Sequence, residues 1–421
     1  MKYFILAIIF FISGTCLAQS VTEKQWLEDI AYLKKELPQN HVDLFHKKSR
    51  NYFNSTLDQI ASEVSNLDDL TIAIKLQQFI SSFGDSHTNI TWSKYVDNKQ
   101  LLPLQFHWLK EGIFVIQATK NHQNILGLKL LKINDIPVQV VIDSLSTLLT
   151  LDNTAIGKRD IPQLISLSQL LRYFKIATND SIFLDFKNTI TGDAINSYLL
   201  VIPNERPDKN DFVQLKSEKN TISFINRDKL FHSHYMTDEK LYYIQYNKCW
   251  SKELEIEHNN GKNAEKLPSF TEFEENVLNE LKNDSIDKLV FDLRYNSGGN
   301  SLQGTLFIEK IMRHPKILKG IPVFVLIGRK TYSSAIINVM DFKKYSNVTL
   351  IGEETAGKPN HFGEVRKFTL PNSGLTVGYS TKYFQRTSGN ENTIKPDVEI
   401  LLSISDFVKG IDPLLEYVIG Q

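Results

Sequence analysis

Ser333 follows the apolar run Val323-Phe324-Val325-Leu326-Ile327 by a short loop and opens the run Ala335-Ile336-Ile337. A hydroxyl at such a strand-to-helix junction can serve as a nucleophile. The unpaired N–H groups of a helix start favour the negative charge that develops during attack. Upstream lies Asp292-Leu293-Arg294-Tyr295-Asn296-Ser297-Gly298-Gly299, a glycine turn after an apolar strand. Backbone N–H groups of Gly298 or Gly299, together with that of Ser334, could receive an oxyanion. The combination points to acyl transfer, most simply hydrolysis of a peptide bond. The segment ends at Gly352-Glu353-Glu354-Thr355-Ala356-Gly357-Lys358, and far upstream Gly84-Asp85-Ser86-His87-Thr88 sets a histidine on a turn, where its side chain can project into a cleft. Each residue also fits a plainer role, since serine is a favoured helix N-cap and glycine suits turns that need φ > 0.

These residues need elements to hold them. Leu70, Ala73, Leu76, Ile80 and Phe83 recur at helical spacing, with Asp68 or Asp69 as cap and Gly84 as stop. Residues 20–84 read as helices throughout. His87 then falls on a turn just past a helix end, and residues 89–92 read as a strand. From 100 to 205 the pattern is β-rich, with a strand at 113–116 and a strand, tight turn and strand over 127–138, followed by a helix at 140–149. Residues 203–235 are polar and poorly periodic and read as linker and loop. From 240 onward strands (241–246, 289–293, 323–327, 348–351) alternate with helices (270–281, 302–312, 333–342). Such alternation builds a mostly parallel sheet with helices packed on it.

Taken together, the motifs resemble those of the S41 serine peptidases, which include carboxy-terminal (tail-specific) processing peptidases and tricorn-like proteases. The family's D-L-R-x-N-x-G-G turn is matched by Asp292, Leu293, Arg294, Asn296, Gly298 and Gly299, and its nucleophile motif by Thr331-Tyr332-Ser333-Ser334-Ala335. Its G-E-x-T-x-G turn is matched by Gly352, Glu353, Thr355 and Gly357, and its closing P-D-V by Pro396-Asp397-Val398. Gly84 to Thr88 is similar to the family's G-D-x-H-T turn. The resemblance implies an α/β fold: a ClpP/crotonase-like catalytic domain over 240–421, an N-terminal helical part over 19–98, a PDZ-like β module over 99–205 and a linker or loop over 206–239. The 100–235 stretch carries the resemblance least specifically.

Two catalytic arrangements occur in such enzymes. Processing peptidases pair the serine with a lysine in a G-K-G turn, with Gln four residues on. Lys358 follows Ser333 by 25 residues, which fits the family's fixed Ser-to-Lys interval, yet Pro359 replaces the second Gly and Phe362 stands at the Gln position. Tricorn-like members use Ser, His, a second Ser beside the His, and Glu. Ser86-His87 matches their Ser-His pair, and Glu391 resembles their Glu with its spacing to Pro396 one residue short. A histidine is also the better base near neutral pH, because lysine must be desolvated to lose its proton. The sequence therefore favours Ser333–His87, with Ser86 and Glu391 in support, over Ser333–Lys358. His361 has no family position. His232-Ser233-His234 has no third ligand at convincing spacing and reads as loop histidines. Tyr332, Phe384 and Trp250 are core or pocket aromatics.

Composition sets the remaining bounds. The chain has 421 residues with 48 Lys plus Arg and 48 Asp plus Glu. That balance gives none of the basic excess a nucleic-acid partner calls for. Met1-Lys2, an apolar run over 4–12 and the small residues of Ser13-Gly14-Thr15-Cys16-Leu17-Ala18 have the layout of a secretory signal over 1–18, with the mature chain starting near Gln19. The run is short for a retained span, and Thr15 is an unusual neighbour for a lipidated Cys16. Cleavage leaves Cys249 alone, expected to be a buried thiol with no intrachain disulfide. The expectation is an exported serine peptidase (periplasm, outer surface or secreted) with a peptide or protein substrate, no cofactor and no metal. The alternative is a non-catalytic peptide-binding protein with a degenerate S41-like groove.

Overall fold

The computed structural model describes residues 20–203 and 205–421. It is a mixed α/β structure built on three sheets. The central one has six strands in the order Val398–Glu399, Val348–Gly352, Val323–Ile327, Lys288–Asp292, Leu241–Tyr246 and Phe231–Met236. All neighbours are parallel except Phe231–Met236, which pairs antiparallel at the edge. Every residue of Val323–Ile327 and Leu241–Tyr246 is buried, as expected where helices cover both faces of a parallel sheet. One face packs on Phe270–Glu280, Ser301–Met312 and Ser334–Phe342 through Val277, Phe307, Ile311, Val339 and Phe342. The other packs on the C-terminal helix Pro413–Ile419 through Leu414, Leu415 and Val418.

A second sheet runs through Leu104–Leu109, Gly112–Thr119, Lys129–Ile133, Ser181–Lys187 and Ala194–Val201, with Ile136–Pro137 and Phe212–Gln214 added beside it. Helices Val138–Ser146 and Thr154–Ile165 close its core with Val141, Leu145, Ile161 and Ile165. The third sheet is the hairpin His361–Thr369 and Thr376–Phe384, extended by Asn89–Ile90. It carries the three N-terminal helices Glu23–Asn40, Arg50–Glu63 and Asp69–Ser81. Trp26 Nε1 donates to Asp69 Oδ1 at 2.8 Å and ties the first helix to the third. The fully buried Asp29 carboxylate accepts the backbone N–H groups of Asn372 (2.9 Å) and Ser373 (2.7 Å), which pins the hairpin tip to the first helix. A buried carboxylate needs such donors to offset its lost hydration.

Several elements differ from the sequence expectation. The stretch read as linker over 206–239 contains strands Phe212–Gln214 and Phe231–Met236 and the helical turn Ile222–Ile225. His232 and His234 lie on that edge strand rather than in a loop; polar residues are tolerated at an edge, and they masked it. Between 100 and 205, helices Thr154–Ile165 and Ser168–Tyr173 join the strands. The strand expected over 89–92 ends at Ile90 and turns into the 3-10 segment Trp92–Tyr95. The signal expected over 1–18, with Cys16, lies outside the described residues. No helix among the described residues is long and apolar enough to cross a membrane. Cys249 is a free, buried thiol, and burial pushes it up to about 11.

Candidate active site

Ser333 caps the helix Ser334–Phe342 with φ 56° and ψ −123°. A residue with a Cβ rarely adopts this backbone, which costs about 1–3 kcal/mol and must be imposed by the surroundings. The neighbours impose it. Thr331 Oγ1 donates to Leu293 O at 2.8 Å and accepts from Gly328 N at 3.0 Å. Tyr332 N donates to Asn296 O at 3.0 Å. Ser334 Oγ donates to Gly299 O at 2.5 Å. The serine turn and the glycine turn are therefore laced together on both sides of Ser333.

The glycine turn needs its glycines. At Gly298 (φ 96°) a Cβ would stand 2.9 Å from Ser333 Cβ and 3.0 Å from Ser334 N. At Gly299 (φ 140°) it would stand 2.1 Å from Cys249 O. Asn296 Oδ1 accepts the Gly298 N–H at 2.8 Å, so that candidate donor is already used. The N–H groups of Gly299 and Ser334 have no acceptor among the described residues. Asp292 and Arg294 serve the turn from behind. Arg294 donates to Asp292 and Asp412, and Tyr243 Oη donates to Asp292 Oδ2 at 2.5 Å. The four groups fill one another's hydrogen-bonding capacity in the interior.

His87 comes from the N-terminal part. Asp85, nearly fully buried, shapes its turn. Asp85 accepts from His87 N (2.9 Å), Thr88 Oγ1 (2.5 Å) and His41 Nε2 (3.0 Å). Burial raises the Asp85 carboxyl, but these donors outweigh it and bring it to about 2. The His87 ring lies flat on Tyr332, with centroids 4.7 Å apart, and 5.7 Å from the ring of His361. Burial, opposed by the nearby Asp85 charge and helped by His361 and Arg159, lowers His87 to about 4. Its imidazole is thus neutral at pH 7, as a general base requires. His87 Nδ1 is 3.1 Å from Tyr332 Oη, and Nε2 is buried without a partner among the described residues. No hydrogen bond joins His87 to Ser333 in the described structure. His361 Nδ1 is turned to the carbonyls of Lys358 and Pro359.

The other candidates fall as follows. Ser86 Oγ donates to Asp152 Oδ2 at 2.9 Å and lies 2.9 Å from Tyr332 Oη. Lys358 Nζ is 2.8 Å from Asp152 Oδ1, with a third of its side chain exposed. It is paired with that carboxylate, and no hydrogen bond joins it to Ser333 among the described residues. Glu391 is bonded to Thr387 Oγ1 at 2.9 Å and does not reach His87; the carboxylate beside the imidazole is Asp85, 3.9 Å from Nδ1. A cavity of about 460 Å³ opens beside these groups, lined by Asp43, Asp85, Ser86, Asp152, Lys358 and Glu391 among others. It lies on the Ser86–Lys358 side, and Ser333 is not part of its lining. Among the described residues no cluster of His, Cys, Asp and Glu has the arrangement of a metal site.

Sequence reasoning missed Asp152, Arg159 and the placement of Tyr332. Asn153 Nδ2 donates to Thr355 O (2.9 Å) and Asn392 O (2.8 Å) and so docks the 152–159 segment on the Gly352–Lys358 turn. Arg159 lies over the Tyr332 ring at 5.1 Å. Only the helix cap Asn153 before an apolar-periodic stretch signalled that segment in the sequence.

Residues 308–400 match the sequence model of peptidase family S41. No curated protein matches the chain. The structure of mature CPAF complexed with lactacystin is 13% identical over 94% of this chain and 98% of its own, with a TM-score of 0.62. Uncomplexed mature CPAF gives the same identity and TM-score over 94% and 96%. A putative peptidase from Parabacteroides merdae is 14% identical over 96% of each chain, with a TM-score of 0.46. The likeness to CPAF is one of fold. The sequence match to peptidase family S41 spans residues 308–400, and it lies within a fold similar to that of mature CPAF.

Proposed function

We propose that the protein is an exported serine peptidase in which Ser333 attacks the peptide carbonyl and His87 accepts its proton. The observation that carries this reading is the backbone of Ser333, held at φ 56° and ψ −123° against the glycine turn at Gly298. Strain at a hydroxyl residue on a strand-to-helix turn is the signature of a presented nucleophile. In this scheme Ser333 Oγ bonds to the carbonyl carbon as its proton passes to His87 Nε2. The N–H groups of Gly299 and Ser334 receive the oxyanion. The imidazolium then gives its proton to the leaving amine, and water hydrolyses the acyl-enzyme by the same route in reverse. Lys358 is held by Asp152 and is not the base. Ser86 supports His87 through Tyr332. Glu391 supplies a carboxylate to the cavity rather than to the imidazole.

The same reading takes residues 240–421 as a ClpP/crotonase-like catalytic domain, 99–205 as a PDZ-like module that offers peptide to it, and 19–98 as the helical part that delivers His87. Export follows from the signal layout of 1–18. The substrate is a peptide or protein. The missing His87–Ser333 hydrogen bond favours a second reading, a peptide-binding protein without catalysis. Incubating the mature protein and its Ser333→Ala variant with a mixed peptide library separates the two. Cleavage by the wild type alone is the expected result. Equal, zero cleavage with retained peptide binding would establish the second reading.

A further inference from the structure

We propose that Tyr332 is a positioning residue which, with Ser86, Asp152 and Lys358, fixes the tautomer of His87 so that Nε2 carries the lone pair. The inference rests on the reading of His87 as the base, and it follows from counting hydrogens along one chain of contacts. Asp152 Oδ1 faces the Lys358 ammonium at 2.8 Å. A carboxylate so paired only accepts, so the 2.9 Å contact at Oδ2 uses the single hydrogen of Ser86 Oγ. Ser86 Oγ can then only accept along its 2.9 Å contact with Tyr332 Oη. That contact uses the single hydrogen of Tyr332. Burial pushes the Tyr332 phenol well above its usual value, which keeps that hydrogen in place. The tyrosine oxygen therefore accepts at its 3.1 Å contact with His87 Nδ1, which must carry the imidazole hydrogen.

A neutral imidazole has one N–H, so Nε2 is left as an acceptor. It is the atom that is buried with no partner among the described residues, ready for an incoming proton. Asp85 Oδ1, 3.9 Å from Nδ1, favours the same tautomer and the imidazolium that would follow. The other charged and titratable groups facing the ring, His361 and Arg159, disfavour positive charge there. The Asp152 carboxylate, held by Lys358, thus acts on the base from a distance: because it only accepts, it sets which way every hydrogen in the chain points.

The test uses the reversal this logic demands. In Asp152→Asn the amide oxygen must face Lys358, because an NH2 group facing an ammonium is repelled. The amide nitrogen then donates to Ser86, Ser86 donates to Tyr332, and Tyr332 donates to Nδ1. Histidine-15N NMR of the mature protein at pH 7, with the His87 signal assigned by His87→Gln, reads the tautomer without any substrate. The expected result is Nδ1–H in the wild type and Nε2–H in Asp152→Asn. Adding Lys358→Met to Asp152→Asn frees the amide to turn its oxygen to Ser86 and should restore Nδ1–H. Tyr332→Phe keeps the ring on His87 and removes only the hydroxyl. It should lower kcat about 10–100-fold with KM little changed. An Nε2–H wild type overturns the proposal by itself, even if the variants do not fold, and so does an Asp152→Asn tautomer equal to that of the wild type. Full activity in His87→Gln, by contrast, would refute His87 as base and leave the tautomer result standing.

Discussion

His87 stacks on Tyr332 with ring planes 17° apart, although 245 residues separate the two in sequence. Asn89–Ile90 pairs antiparallel with Gly378 and Val377, and the same hairpin is bonded at its tip to Asp29 of the first helix. The proposed base is therefore delivered to the serine turn by a sheet that joins the two ends of the chain. Replacing Asp29 by Leu should loosen that delivery, and activity should fall further than the stability of the parallel sheet does. Proteolysis that nicks the N-terminal helices first, at unchanged protection of 288–327, checks it.

The pH dependence should be set by His87. Its buried imidazole is lowered to about 4, so kcat/KM should hold from pH 7 to about 5 and fall only as the pH approaches 4. An acid limb near the ordinary 6.5 would mean that His87 is solvated or is not the base.

Stability should respond to acid in a related window. His87 and His107 are lowered to about 4 and about 3, both chiefly by burial. Their folded values lie below the unfolded ones, so the unfolded state binds more protons as the pH drops. The stabilisation is complete above about 6.5 and declines by about 1.4 kcal/mol per pH unit for each group between there and the folded value. Urea midpoints at pH 7 and pH 5 measure it; equal midpoints would contradict the burial of both rings.

What the sequence made legible is local. The helix Asp69–Ser81, which ends shortly before the expected stop at Gly84, the strand Val323–Ile327 and the serine and glycine turns follow from periodicity, capping and turn chemistry within a few residues. The partners of His87 were not legible. Tyr332 had the features of a core aromatic, and Asp152 sat in a stretch read as β-rich. Their meeting depends on the long-range pairing of Asn89–Ile90 and on Asn153 docking against Thr355 and Asn392. Glu391 matched a motif by spacing, but its carboxylate turns to Thr387. Spacing along a chain constrains a side chain's direction only inside regular elements, and Glu391 lies in an irregular one.

The backbone of Ser333 gives a stability signature independent of activity. Ser333→Gly should be more stable than Ser333→Ala by about 1 kcal/mol, because glycine adopts φ 56° without strain. Thermal denaturation of the two inactive variants compares them directly. The usual order, with alanine more stable, would show that the turn is relaxed in solution.

Arg294 should be among the most sensitive positions outside the reacting groups. Arg294→Met leaves Asp292 and Asp412 buried and unpaired, a defect that costs about 3–5 kcal/mol. The variant should express poorly or melt well below the wild type, and Arg294→Lys, which lacks the planar fork, should recover only part of the loss.

Reaction with a fluorophosphonate, followed by peptide mapping, addresses the nucleophile most directly. The expected adduct is a single one on Ser333, absent in Ser333→Ala, formed far more slowly in His87→Ala and at a nearly normal rate in Lys358→Ala. An adduct on Ser334, or no adduct on a protein that is folded and binds peptide, would contradict the assignment of Ser333 and His87.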